Sequence, residues 1–198
     1  VITADYLPEN IAHKYSDEYV NVSIIDRDAV LKVAQEKKID SILSFGVDPG
    51  VVTAAYVAEK MGLPSPPLKS VEILQNKDKF RDFLEANGFN CPWHKGYESK
   101  EDALNDFSRV EHLEHVDGMA LPVIVKPVDS AGSKGCKRVD SLDELPFAID
   151  GAIEESHLGR FIIEQFLEKV GSSSDTDSFS IDNELVFCSF NCQHFDLK

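Results

Sequence analysis

Lys126 and Lys77 are the residues whose type and setting suit them to holding phosphate. In residues 121–135 an apolar run delivers Lys126 and then a loop of small residues, Asp-Ser-Ala-Gly-Ser-Lys-Gly. Val123, Ile124 and Val125 have the β-branched density of a buried strand, and Pro127 ends it by withdrawing a backbone donor. Gly132 and Gly135 can take positive φ, and with Ser130 and Ser133 beside them the loop can turn backbone N–H groups inward around an anion. An ordinary hairpin loop with a surface lysine has the same composition, so this segment alone does not decide.

Upstream, residues 76–88 read as an amphipathic helix. Phe80, Phe83 and Leu84 recur at i, i+3, i+4, and Gly88 stands where a helix would end. Lys77 and Lys79 fall in its first turn, where each opposes the helix dipole by roughly 0.3–1 kcal/mol unless an anion compensates. Solvated surface lysines are the plain alternative. Arg81 on the same helix suits either a phosphate or an ion pair with Asp78 or Glu85.

Three segments in order carry a family resemblance: Lys77-x-x-Phe80-Arg81-x-x-Leu84-x-x-x-Gly88, then Lys126-Pro127 with the loop from Ser130 to Gly135, then Ile162-Ile163-Glu164-Gln165-Phe166-Leu167. Each is weak singly. In this order and spacing they resemble the ATP-grasp superfamily, and within it the branch of carbamoyl-phosphate-synthase-like and biotin-carboxylase-like proteins. Residues 39–46 and 51–63 are similar to the end of the pre-ATP-grasp domain of that branch.

The resemblance implies a fold of mixed α/β and α+β class: a partial, Rossmann-like parallel sheet over residues 1–67, then the N-terminal lobe and the start of the C-terminal lobe of an ATP-grasp domain over 68–198. It implies the ATP-binding portion of a ligase that joins a small carboxylate to an amine or thiol through an acyl phosphate. The alternative is a derived module that binds nucleotide or a partner without catalysis. By the same resemblance, Lys77 and Lys126 contact ATP phosphates, and Ser130, Gly132, Ser133 and Gly135 cover them. Backbone groups of Gln165 and Leu167 read adenine, with Phe166 between them and Glu164 beside the exocyclic amine. The ribose partner is open among Asp175, Asp177 and Glu168, because Gly171 to Ser174 stand where the family carries a glutamate. Cys136 stands where a small β-branched residue is more usual. Magnesium is expected, with its carboxylates beyond residue 198. The chain is expected to begin inside its first domain and, by itself, to bind nucleotide without turning it over.

Composition is compatible with this. The balance of 20 Lys+Arg against 35 Asp+Glu gives a formal charge of −15 over 198 residues. Such a charge repels nucleic acid and anionic membrane, so a nucleotide needs locally concentrated cations. No apolar run reaches the roughly 20 residues of a membrane span, and the expected location is cytoplasmic. Oligomeric state stays open, a homo-oligomer included. Cys91, Cys136, Cys188 and Cys192 show no C-x-x-C spacing and are expected as free thiols. Cys188, Cys192 and His194 share strand parity, which suits small residues on a core face better than a metal site. His112 and His115 sit in an acidic stretch expected to be solvated. The order Gly132-Ser-Lys-Gly135 is wrong for a Walker loop, and neither a G-x-S-x-G nor an H-E-x-x-H motif occurs.

The elements that must position these residues follow from periodicity. Strands are expected at 1–4, 20–25 and 39–45, with helices at 28–38, capped by Asp28, and at 51–61. Three prolines in 64–67 mark a boundary. Beyond it come the Lys77 helix, an extended piece at 91–97, an acidic helix near 99–107, and a strand, loop, strand, helix, strand series after Gly118. Ser141 and Glu144 have the spacing of a capping box. A polar loop over 171–177 leads to a hairpin over 178–195.

Overall fold

The computed structural model describes residues 1–110 and 120–193. The chain forms two compact units, Val1–Gln165 and Phe166–Lys198. His112, His115 and His194 lie outside the described residues.

In the first unit, β1 (Ile2–Asp5) and β2 (Glu18–Asn21) pair in parallel. Helix α1 (Arg27–Lys37) is capped by Asp26, whose carboxylate accepts the Ala29 N–H at 3.0 Å. Asp28, the expected cap, lies inside the first turn and accepts the Tyr56 hydroxyl. Helix α2 (Asp48–Met61) begins with Pro49 in its first turn, where no N–H is needed, and ends at Gly62 with φ +68°. Val30 and Ala34 of α1 bury against Val57 of α2. Residues 39–45, expected as a buried strand, pair with no strand, and Leu43 and Phe45 are 82% and 88% exposed. Among the described residues β1 and β2 form a two-stranded sheet whose outer edges this apolar run does not join. Helix α3 (Leu68–Gln75), which the sequence reading had not drawn, leads directly into α4 (Lys77–Ala86).

The rest of this unit is a four-stranded antiparallel sheet in the order β3 (His94–Tyr97), β6 (Phe161–Gln165), β4 (Val123–Pro127), β5 (Lys137–Val139). One face carries Val123, Val125, Val139, Phe161 and Ile163. It packs on Ala103 and Phe107 of α5 (Lys100–Val110) and on Ala148, Ile149 and Ala152 of α6 (Leu145–Glu154). The strand period of two sends Ile124, Lys126, Ile162 and Glu164 to the other face. Helix α4 packs against β3 and β6. The approach is close at Gly96: a Cβ there would lie 2.9 Å from the Asp78 Cβ. Helix α6 starts at Leu145 with Pro146 in its first turn, after a 3-10 turn at Leu142–Glu144. Ser141 makes no cap contact, and Glu144 reaches back only to the Asp140 N–H.

The second unit is a hairpin of β7 (Ser173–Ile181) and β8 (Glu184–Gln193). It starts five residues earlier than the pattern indicated, absorbing much of the polar run. Cys188 and Cys192, expected on a core face, are exposed, since among the described residues the two strands pair only with each other.

Candidate functional site

The outer face of β4 and β6 brings the chemistry together. Lys126 stands opposite Ile162, two residues from Glu164, so the two side chains are diagonal neighbours on one face. Lys126 Nζ donates to Glu164 Oε2 at 2.8 Å. From α4, Arg81 grips the same carboxylate with Nε at 3.1 Å and a terminal nitrogen at 3.4 Å. The Glu164 side chain is 3% exposed. Burial pushes its pKa up, but hydrogen bonds and charges from Lys126 and Arg81 outweigh this and hold it below the usual carboxylate range.

Lys77, four residues before Arg81, shares its helix face. Its backbone N–H donates to Val128 O at 2.9 Å, and its Nζ reaches Ser130 O at 2.7 Å. Burial depresses its pKa, which Lys126 lowers further and Cys136 and Asp129 oppose. Lys79 points to solvent. Burial also raises the Cys136 thiol, with Lys77 and Lys126 pulling the other way. Three cations thus surround one carboxylate, a local positive excess in an acidic chain.

The loop between β4 and β5 is built for tight turning. Gly132, Ser133 and Gly135 all have φ between +59° and +68°. Gly135 is needed twice over, since a Cβ there would meet Pro127 Cγ at 2.8 Å and the Gly151 carbonyl at 3.0 Å. Ser130 turns its carbonyl toward Lys77, while its hydroxyl donates to Lys134 O at 2.9 Å. A separate recess of about 270 Å³ opens between this loop, Pro49 and the end of α6. Asp129, Glu154 and Glu155 on its walls outnumber Lys134, so it lacks the cationic excess of the Lys77, Lys126 and Arg81 cluster.

Supporting contacts were invisible to motif reading. Asp78, buried beside Lys77, pairs with Arg160 just before β6. Asp129 accepts the Ser156 hydroxyl at 2.7 Å and the Leu158 N–H at 3.0 Å, which turns its carboxylate toward the end of α6. Arg81 pairs with Glu164, not with Asp78 or Glu85. Its spacing of four from Lys77 was the available signal. Of the other expected site residues, Gln165 ends β6 with its N–H on Trp93 O at 2.9 Å. Phe166, Leu167 and Asp175 belong to the second unit, where Leu167 is exposed and Asp175 accepts the Thr176 N–H.

No family model matches the sequence. It is 28% identical over 164 residues to the carbamoyl phosphate synthase large chain of Thermotoga petrophila, covering 81% of this chain and 14% of that one. Among solved structures, an L-amino acid ligase from Bacillus licheniformis superposes with a TM-score of 0.62 at 21% identity, covering 89% of this chain and 40% of that one. The chain has part of the ATP-grasp fold. A second fold neighbour, the biotin carboxylase domain of the Hydrogenobacter thermophilus 2-oxoglutarate carboxylase, was solved with MgADP and bicarbonate. It matches with a TM-score of 0.58 at 17% identity, over 84% of this chain and 38% of that one. This chain spans 14–17% of the length of the carbamoyl phosphate synthase large chains it matches.

Proposed function

We propose that this chain is the ATP-binding portion of an ATP-dependent ligase that activates a small carboxylate as an acyl phosphate for attack by an amine or thiol. The observation that carries this is the meeting of Lys77, Lys126 and Arg81 around buried Glu164, next to a glycine loop, in a chain of net charge −15. Phosphoryl transfer depends on neutralising phosphate oxygens in place, and two ammonium groups at a strand and a helix start suit that task. Lys126 has one of its three N–H bonds on Glu164 and can aim the others at an anion. Lys77 can exchange the Ser130 carbonyl for a phosphate oxygen, and Ser130, Gly132, Ser133 and Gly135 then cover it.

Adenine is assigned to the end of β6, at Glu164 and Gln165. Because the Gln165 N–H is taken by Trp93, a contact from Gln165 goes through its carbonyl. Magnesium, when bound, would supply positive charge to offset that of the phosphate oxygens. Among the described residues no three His, Cys, Asp or Glu side chains group to hold it, so no residue here is assigned to it.

Calorimetric titration with ATP tests the proposal. Lys126→Ala and Lys77→Ala are each expected to weaken binding by about 1.5–3 kcal/mol, the value of a charge-assisted hydrogen bond. Unchanged affinity in both variants would sink the assignment. We further propose that the chain alone binds without turnover; steady ADP formation that depends on an added carboxylate and amine would overturn that part.

A further inference from the structure

We propose that Arg81 is a positioning residue for the anion site: its grip on Glu164 neutralises that carboxylate and so leaves the Lys126 ammonium charge directed at phosphate. The inference rests on the phosphate reading above and adds a residue to it. Glu164 is buried on the sheet face and carries a full negative charge at neutral pH, held by burial-resistant pairing to both cations. With Lys126 as its only partner it would form a neutral ion pair, and the ammonium would be held where the carboxylate wants it. Arg81 approaches from α4 and takes both oxygens, one with Nε and the other with a terminal nitrogen. A planar guanidinium does this with two parallel N–H bonds, whereas an ammonium in its place keeps the balancing charge and gives up the fork. The cluster of Lys77, Lys126, Arg81 and Glu164 then keeps a net charge of two positives.

The arrangement also ties the two lysines together. Lys77 and Arg81 lie one helical turn apart on α4, so the same helix that presents one phosphate cation balances the carboxylate under the other. A displacement of α4 therefore perturbs both lysines at once. A surface ion pair would have no such consequence.

Inorganic tripolyphosphate isolates the charge site from any adenine contact. In titrations of the 198-residue chain, Arg81→Gln is expected to weaken tripolyphosphate about tenfold, the effect of about one charge-assisted contact. Arg81→Lys is expected to stay within about threefold of the unaltered chain, and so is the double variant Arg81→Gln/Glu164→Gln, because removing the carboxylate removes what Arg81 balances. The Glu164 carboxyl pKa, followed by NMR, should rise in Arg81→Gln and return in Arg81→Lys. If Arg81→Gln does not fold, Arg81→His supplies the comparison in one protein: binding relative to the unaltered chain should weaken as the imidazole loses its proton. Equal affinity in all variants, or losses in the double variant that add, would overturn the assignment. Tripolyphosphate binding in this order without ATP binding would overturn the nucleotide reading and keep Arg81. No tripolyphosphate binding by the unaltered chain would overturn both.

Discussion

Replacing Glu164 by Gln removes one charge and almost no volume, which makes it a sharp test of the buried cluster. Breaking a buried ion pair by deleting one partner typically costs about 3–5 kcal/mol, because the remaining charge is left without compensation. Here the orphaned groups are Lys126 and Arg81, whose side chains remain 21% and 25% exposed and can recover some hydration. The lower end applies, about 3 kcal/mol at pH 7. With a urea m-value of about 2 kcal/mol/M, the midpoint should fall by about 1.5 M with the slope unchanged. Trp93 is the only tryptophan of the chain and packs edge-on to Phe107 at 6.4 Å, so its fluorescence reports this unit and not the hairpin. The pH dependence carries the sign of the argument. The folded carboxyl is held below its ordinary value of 4.5, so its contribution is fully present above that value and is lost as pH falls through the folded pKa. The gap between the two proteins should therefore be constant from pH 7 to about 5 and narrow below it. A gap under about 0.5 kcal/mol at pH 7, the range of an ordinary surface substitution, or one that persists unchanged to pH 2, would refute the cluster.

Gly96→Ala should destabilise the first unit by about 1–3 kcal/mol, since its Cβ would press on the buried Asp78 side chain, which cannot yield without disturbing its pairing with Arg160; a thermal melt followed at Trp93 that shifts by less than about 1 °C would remove the close approach. Amide exchange in residues 130–137 should slow when ATP is added, because the loop is exposed and held by few hydrogen bonds without it; equal exchange with and without nucleotide would exclude a covering role.

The site was legible in the sequence to the extent that its residues sit on regular elements. Lys126 follows from a strand of period two, and Lys77 from a helix whose apolar residues repeat at three and four. Both ended where those patterns put them. What joins them was not legible. Arg81 and Glu164 are 83 positions apart, as Asp78 and Arg160 are 82 apart, and no local pattern relates such pairs. Their meeting is fixed by sheet register and by the close passage of α4 over Gly96. The strand expected at 39–45 shows the converse. Its residues have the β-branched and apolar character of a core strand, but a strand exists only where a neighbour pairs with it, and among the described residues neither β1 nor β2 pairs with this run. Helix α3 escaped notice because only Val71 is buried in its eight residues, too few apolar anchors to show a period.

On the proposed function, the physical problem at this site is how to place phosphate-binding cations on a low-dielectric sheet face. Lys77 shows the cost: burial lowers its pKa, and a second ammonium nearby lowers it further. Lysines left alone on such a face lose charge or turn outward. A buried carboxylate beneath them offsets that cost, but in equal number it would also cancel the attraction for phosphate. The third cation resolves the conflict, since Glu164 stabilises Lys126 while Arg81 takes up most of the charge that Glu164 would otherwise claim from it. The same reasoning explains why the loop supplies a carbonyl and not a carboxylate to Lys77. The Ser130 oxygen satisfies the ammonium without neutralising it, and an arriving phosphate can replace it without breaking an ion pair.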